Sequence, residues 1–170
     1  AFGSEIVGVM NSRYGSAMTM STEIGGTPNK VWLTGFWQSL DDYQSFLESY
    51  MTDQQMMAAI SMSSSFMTSM EDQIGEVLRP PGERKAFGQM HRGRLKSTGV
   101  AEGTELILEL TNHVSELSGS ECGLVRPVTG DQYGVVFVAY ADTIQGLKDM
   151  TDSCVDDEKY QEIFAKAPEY

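Results

Sequence analysis

Two stretches of the chain, VWLTGFWQSLDDYQSFLESYMTD at Val31–Asp53 and VVFVAYADTIQGLKDMTDSCVDD at Val135–Asp157, share one pattern of residues. In each, an apolar segment with strand character leads through a short polar segment into an amphipathic helix. Shifting the sequence by 104 residues aligns 1–66 with 105–170 without a gap, although few positions are identical. The shared order of elements therefore predicts one fold present in two tandem copies.

Each copy is predicted to contain a helix, a β-hairpin, a second helix and a short third helix. Ser39 and Asp142 are placed to cap the second helices, because their side chains can accept hydrogen bonds from the first free N–H groups. Asp53 and Asp157 are predicted to interrupt those helices and to cap the third ones. The predicted segments are helices at 1–14, 54–61, 104–117 and 158–165, and strands at 17–24, 31–37, 122–128 and 133–141.

Two further strands, Asp72–Leu78 and Lys85–Lys96, are predicted between the copies, separated by the breaker RPPG. This breaker divides the chain into a first repeat at 1–80 and a second at 84–170. Each copy then lacks one terminal strand of a βαββαβ unit. We expect the chain to be a trimmed fragment whose exposed sheet edges a dimer shields; alternatively, the two sheet ends complete each other or a second chain covers them.

Both faces of the second hairpin strand are apolar in each copy. The alternating side chains are Val31, Leu33 and Trp37 against Trp32 and Phe36, and Val135 and Phe137 against Val136, Val138 and Tyr140. Since the helices of such a repeat cover one face of its sheet, the other face needs a partner. We expect the two repeats to pack sheet against sheet in a barrel-like body, inside one chain or between chains.

These features carry a resemblance to a known family. A hairpin strand ending in a small and an aromatic residue (Gly35-Phe36, Ala139-Tyr140), followed by a helix and then an Asp-led helix (Thr52-Asp53-Gln54-Gln55, Asp156-Asp157-Glu158-Lys159), resembles the ferredoxin-like repeat of the dimeric α/β-barrel superfamily. That superfamily includes antibiotic-biosynthesis-monooxygenase-like proteins, chlorite dismutases and dye-decolourising peroxidases. The resemblance implies an α+β fold of two ferredoxin-like βαββαβ repeats, each with a pocket between its sheet and helices. The GxxDG signature of the peroxidases is missing, so no catalytic residue is carried over.

The composition excludes some classes of partner. Twelve Lys and Arg against 24 Asp and Glu give a net charge of -12, which repels nucleic acid and anionic membrane surfaces. No apolar run approaches the roughly 20 residues of a membrane span, and no signal peptide opens the chain. Two cysteines without metal-ligand spacing predict buried thiols and a cytoplasmic location.

Two histidines are the candidate catalytic residues. His113 lies in the apolar stripe of its helix, where we expect it to face the sheet, as a proton-transfer group, a haem ligand or a hydrogen-bonded residue at the edge of the core. His91 lies in the strand QMHRGRL, on the same face as Gln89 and opposite to Arg92 and Arg94.

Arginines and aromatic residues are the candidate ligand-binding residues. Arg92 and Arg94 are predicted either to protect an edge strand or to form, with Arg126, an anion-binding cluster. Trp32 and Tyr140 are predicted either to stack on a ligand or to belong to the core and the barrel interface.

Two functions are compatible with these residues. The first is a small-molecule-binding protein or cofactor-independent monooxygenase-like enzyme, in which His113 or His91 moves a proton on an oxidisable substrate. It needs no cofactor, and haem is the alternative. The second is a non-catalytic stress or interaction protein whose doubled fold builds an oligomer. A homodimer is expected, without nucleic acid or membrane.

Overall fold

The computed structural model describes residues 2–170, with side chains from Gly3 onward. The part of the first predicted helix at Ala1 and the Phe2 side chain lie outside the described residues. The described chain is an α+β structure with six α-helices and two antiparallel sheets, one of two strands and one of four. It divides into two compact units, the chain up to Met70 and Glu71–Tyr170. Within 2–170, no helix is both long enough and apolar enough to cross a bilayer.

The first unit contains three helices and a hairpin. Its elements are α1 (Phe2–Tyr14), β1 (Thr19–Thr22), β2 (Val31–Thr34), α2 (Leu40–Met51) and α3 (Gln54–Ser63). The second unit contains four strands, three helices and a final 3-10 turn. Its elements are β3 (Gly75–Arg79), β4 (Phe87–Arg94), α4 (Val100–Ser118), β5 (Gly123–Pro127), β6 (Gly134–Ala141), α5 (Ile144–Val155), α6 (Glu158–Ala165) and the turn at Ala167–Glu169.

The core of the first unit lies among its helices. Met10, Phe46 and Met56 are buried there, one from each helix. The Trp37 ring lies 4.8 Å from the Tyr43 ring and 5.1 Å from the Phe46 ring, so aromatic side chains fill the space between α2 and the hairpin. The predicted helix at 1–14 and the predicted hairpin are confirmed.

The sheet of the second unit has the strand order β3-β5-β6-β4. The longest ladder joins β4 to β6, from Phe87 opposite Ala141 to Arg94 opposite Gly134. One face of this sheet packs against the helices, as the buried cluster of Val114, Ala139 and Met150 demonstrates. Because side chains alternate along β6, Val136, Val138 and Tyr140 belong to the opposite face.

The predicted side-chain caps are found at three helices and are displaced by one residue at a fourth. Ser39 caps α2, Asp53 caps α3 and Asp157 caps α6, as predicted. The prediction for α5 is wrong: Thr143 caps it, with Oγ1 accepting from Gly146 N at 3.0 Å. Asp142 lies one residue too early and instead pairs with Lys85 at 3.2 Å.

The strand predicted to close the first copy lies elsewhere. β3 pairs antiparallel with β5, so it belongs to the sheet of the second unit, and the first unit keeps a two-stranded sheet. The compact units also divide between Met70 and Glu71, before the RPPG breaker at which the repeats were divided. The breaker folds onto the second sheet because Gly123 has no side chain; a Cβ there would lie 2.7 Å from the Pro81 nitrogen.

Candidate functional site

His113 joins helix α4 to the start of helix α6. Its Nε2 lies 2.6 Å from Asp157 Oδ1, and the two side chains are 11% and 25% exposed. The same carboxylate oxygen caps α6 by accepting from Tyr160 N at 2.7 Å. Of the roles open to His113, this contact fits the hydrogen-bonded residue at the edge of the core, with a carboxylate at the N-terminus of α6 as its partner.

The other ring nitrogen of His113 has no partner. Nδ1 is buried and makes no hydrogen bond to any described residue. The hydrogen bond from His113, and after it the N–H of Tyr160, hold the pKa of the Asp157 carboxyl below its usual value. A neutral ring that donates from Nε2 thus keeps an unused lone pair on Nδ1, which is the chemical requirement for a base.

The nearby cysteines are not candidate nucleophiles. Cys122 is 0% exposed and Cys154 is 6% exposed, and both are free thiols. Burial raises the pKa of each thiol, so the thiolate is disfavoured. Their role is to fill the core, where Cys122 Sγ lies 4.0 Å from Met150 Sδ.

Asp53 is the counterpart of Asp157 in the first unit, at the offset of 104 residues. Its Oδ1 accepts from Gln55 N at 2.9 Å, and its Oδ2 accepts from Tyr14 Oη at 2.8 Å and from Arg13 Nη1 at 2.6 Å. The Tyr14 hydrogen bond is the largest of the causes that hold the pKa of Asp53 at about 2. Each unit therefore ties the cap of its third helix to its first helix.

Sequence reasoning missed Arg13 and Tyr14. The position aligned with His113 is Val9, and the side chains that bind Asp53 lie about one helical turn later. The sequence does show Arg13 and Tyr14 as neighbouring residues at the end of α1, on the side of its apolar stripe. Because the sequence does not give the position of Asp53 relative to α1, these two side chains cannot be distinguished from ones exposed to solvent at a helix end.

His91 lies on the edge strand β4. It is opposite Phe137, with the ring centroids 6.1 Å apart, and its Nε2 lies 2.6 Å from Gln89 Nε2. The amide must donate to the ring here, so His91 carries its proton on Nδ1 when neutral. His91 is exposed and occupies a different part of the unit from His113, so the two histidines do not form one site.

The three candidate arginines do not form one cluster. Arg126 pairs with Glu76 at 2.5 Å, whereas Arg94 pairs through Nε with Asp131 at 3.3 Å. Arg92 is opposite Val136, on the face of the sheet away from the helices. Arg126 follows Val125, which shares the face of Arg92, and by strand alternation it belongs to the other face.

The two candidate stacking residues each have a cation over the ring. Lys30 Nζ lies 4.3 Å from the Trp32 ring, and Trp32 Nε1 donates to Glu23 at 2.9 Å. The Arg84 guanidinium lies 5.9 Å from the Tyr140 ring. One face of each ring is therefore occupied from within the chain.

The space between the second sheet and its helices is filled by side chains. Leu124, Ala139 and Cys122 are each 0% exposed. Two surface grooves of about 450 and 490 Å³ lie instead around Arg94 and Tyr133. Among residues 2–170, no three His, Cys, Asp or Glu side chains are arranged to hold a metal ion.

In comparisons with known proteins, no family model matches the chain, and no curated protein matches it significantly.

Proposed function

We propose that this chain is a non-catalytic interaction protein that assembles with a second copy of itself through the face of the four-stranded sheet that the helices leave open. The framework of the proposal is a pair of ferredoxin-like repeats. The run β4-α4-β5-β6-α5, with β6 between β5 and β4, has the connectivity of such a repeat without its last strand. That connectivity supports the repeat and does not depend on the first unit.

The observation that carries the proposal is the apolar character of this open face. Val77 is 39% exposed and Met90 is 45% exposed, and Val136 and Tyr140 between them are half-buried. Arg92 and Arg94 belong to the same face along the edge strand. An apolar centre with arginines beside it is the composition of a protein interface, and two sheets pack about 10 Å apart face to face.

The close packing between the second sheet and its helices supports a non-catalytic function. The candidate acid-base residue His113 is bound to a helix cap, and the next residue, Val114, belongs to a buried cluster with Cys122 and Met150. A second copy seated on the open sheet face would bury apolar side chains without needing any such cavity. A cytoplasmic location belongs to the same proposal, because the two free thiols are compatible with a reducing compartment.

The test is the mass of the protein in solution. We expect a dimer by sedimentation equilibrium, and we expect Met90→Glu to dissociate it because a carboxylate within an apolar interface is desolvated. Val155→Glu is the matched control, since Val155 is 60% exposed on helix α5. Specific dimers have dissociation constants in the micromolar range or below. If the wild-type protein is a monomer at about 100 µM, the proposal is wrong.

The second candidate is the small-molecule-binding or cofactor-independent monooxygenase-like enzyme. The buried, unpaired Nδ1 of His113 favours it, because a base with a free lone pair needs only a ligand beside it. Thermal-shift screening with flavins, haem and aromatic acids tests this candidate, and a Soret band lost in His113→Ala would support the haem alternative.

A His113→Gln variant separates the two functions. Glutamine keeps an N–H donor for Asp157 but removes the base. If His113 is structural, His113→Gln should keep the stability that His113→Ala loses. If His113 is catalytic, both variants should lose turnover of the ligand.

A further inference from the structure

We propose that a groove at the end of strand β4 binds a small anion, either a carboxylate or a phosphate group. The groove has a volume of about 450 Å³ and adjoins a second one of about 490 Å³. Arg94 and Tyr133 line both of them. The remaining lining residues are Leu95, Lys96 and Ser97 in the first, and Gly130, Asp131 and Gln132 in the second.

Arg94 is oriented toward one kind of ligand. Its Nε pairs with Asp131 Oδ2 at 3.3 Å, and its guanidinium lies 5.7 Å from the centre of the Tyr133 ring. Asp131 is itself fixed, because its Oδ1 accepts from Tyr133 N at 3.1 Å. The terminal nitrogens of Arg94 make no hydrogen bond to any described residue, so the fork that matches a carboxylate or phosphate is available.

Further donors line the same groove. Lys96 Nζ donates one hydrogen bond to the Pro168 carbonyl at 2.5 Å and has two N–H groups left. The Lys96 backbone N–H donates to the main-chain oxygen of Tyr170, which fixes this segment in place. Within 2–170, the hydroxyls of Ser97 and Tyr133 have no hydrogen-bond partner, so both can donate to an anion as well.

The charges around the groove decide the class of ligand. Among the residues that line the two grooves, Asp131 in the second one supplies the carboxylate, and its two oxygens are already used by Arg94 and by the Tyr133 N–H. The chain as a whole carries a net charge of -12, which repels an extended polyanion such as nucleic acid. A single small anion meets the local donors without that opposition.

The test is a titration of the ¹⁵N-labelled full chain with sodium phosphate and, separately, with sodium acetate at constant ionic strength. We expect saturable shifts of the amides at 94–97 and 130–133. Arg94→Gln should weaken binding at least about tenfold, the loss expected for one charge-assisted bidentate contact. Arg126→Gln is the matched control, since Arg126 pairs with Glu76 on the other face, and it should bind as the wild type does.

The two arms identify the ligand chemistry. Saturation by phosphate alone assigns a phosphoryl group, saturation by acetate alone assigns a carboxylate, and saturation by both assigns the shared chemistry. Shifts that never saturate, or that persist unchanged in Arg94→Gln, overturn the proposal. Arg94 also belongs to the sheet face of the proposed assembly, so sedimentation equilibrium of Arg94→Gln accompanies the titration. Loss of anion binding with an unchanged mass separates this proposal from the assembly.

Discussion

The imidazole of His113 lies 2.6 Å from the carboxylate of Asp157, and this contact connects the middle of the longest helix to the first turn of the last one. A side chain that caps a helix is normally held by that helix alone. Here the cap is fixed from outside, so the position of α6 depends on one residue of α4.

His113→Ala should therefore destabilise the second unit. The substitution removes a hydrogen bond to an ionised carboxylate and leaves a void where a side chain only 11% exposed had been, and we expect the unfolding midpoint to fall by about 5 °C. Differential scanning calorimetry measures this. His113→Gln should recover most of the loss, and equal losses in the two variants would contradict the role given to the hydrogen bond.

Acid should destabilise the first unit through Asp53. Its pKa is about 2 in the folded chain, below the ordinary 3.8, so the folded state favours the charged form. The stabilisation is complete above about pH 4 and is lost as the pH falls toward 2. Trp32 and Trp37 both lie in the first unit, so tryptophan fluorescence during urea unfolding at each pH follows the effect.

Tyr14→Phe tests the cause of that pH dependence. The phenol hydrogen bond is the largest contribution to the low pKa of Asp53, so its removal should shift the acid transition upward. An NMR titration of the Asp53 carboxyl carbon measures the pKa directly. An unchanged pKa in Tyr14→Phe would assign the effect to the helix N–H groups and Arg13 instead.

Substitution at the N-terminus of α5 should lower the free energy of unfolding at Thr143 but not at the preceding Asp142. Thr143→Ala removes the acceptor for Gly146 N and should cost about 1 kcal/mol. Asp142→Ala removes only an exposed pair with Lys85 and should leave the free energy of unfolding unchanged within error. Urea unfolding of both variants distinguishes this assignment from the one that the sequence suggested.

Replacing glycine by alanine should change the free energy of unfolding in opposite directions at Gly8, within helix α1, and at Gly15, just after it. Gly8 is in the middle of the helix with open space around it, so Gly8→Ala should stabilise by about 0.5–1 kcal/mol. Gly15 has a φ of +64°, where an L side chain is strained, so Gly15→Ala should destabilise by about 1 kcal/mol. Urea unfolding measured side by side provides the comparison.

Local chemistry explains which parts of the fold the sequence predicts. Asp53 and Asp157 were identified as caps because a cap is decided by a few consecutive residues, and both are confirmed. The left-handed residue that ends α4 is Gly119, at a φ of 65°, for the same reason.

Long-range pairing explains what the sequence did not predict. β3 pairs with β5 from across helix α4, and His113 on α4 bonds to Asp157 at the N-terminus of α6. Neither partner is near in sequence, and no periodicity encodes it. The surface groove at Arg94 was missed for the same reason, since Asp131 and Tyr133 come from a turn on another hairpin.

The position of β3 has a consequence for dividing the chain. A piece cut at the boundary proposed from the sequence begins at residue 84, yet the strand that pairs with β5 lies before that point, at Gly75–Arg79. Such a piece would leave the N–H and C=O groups along that edge of β5 unpaired or would borrow a strand from another molecule.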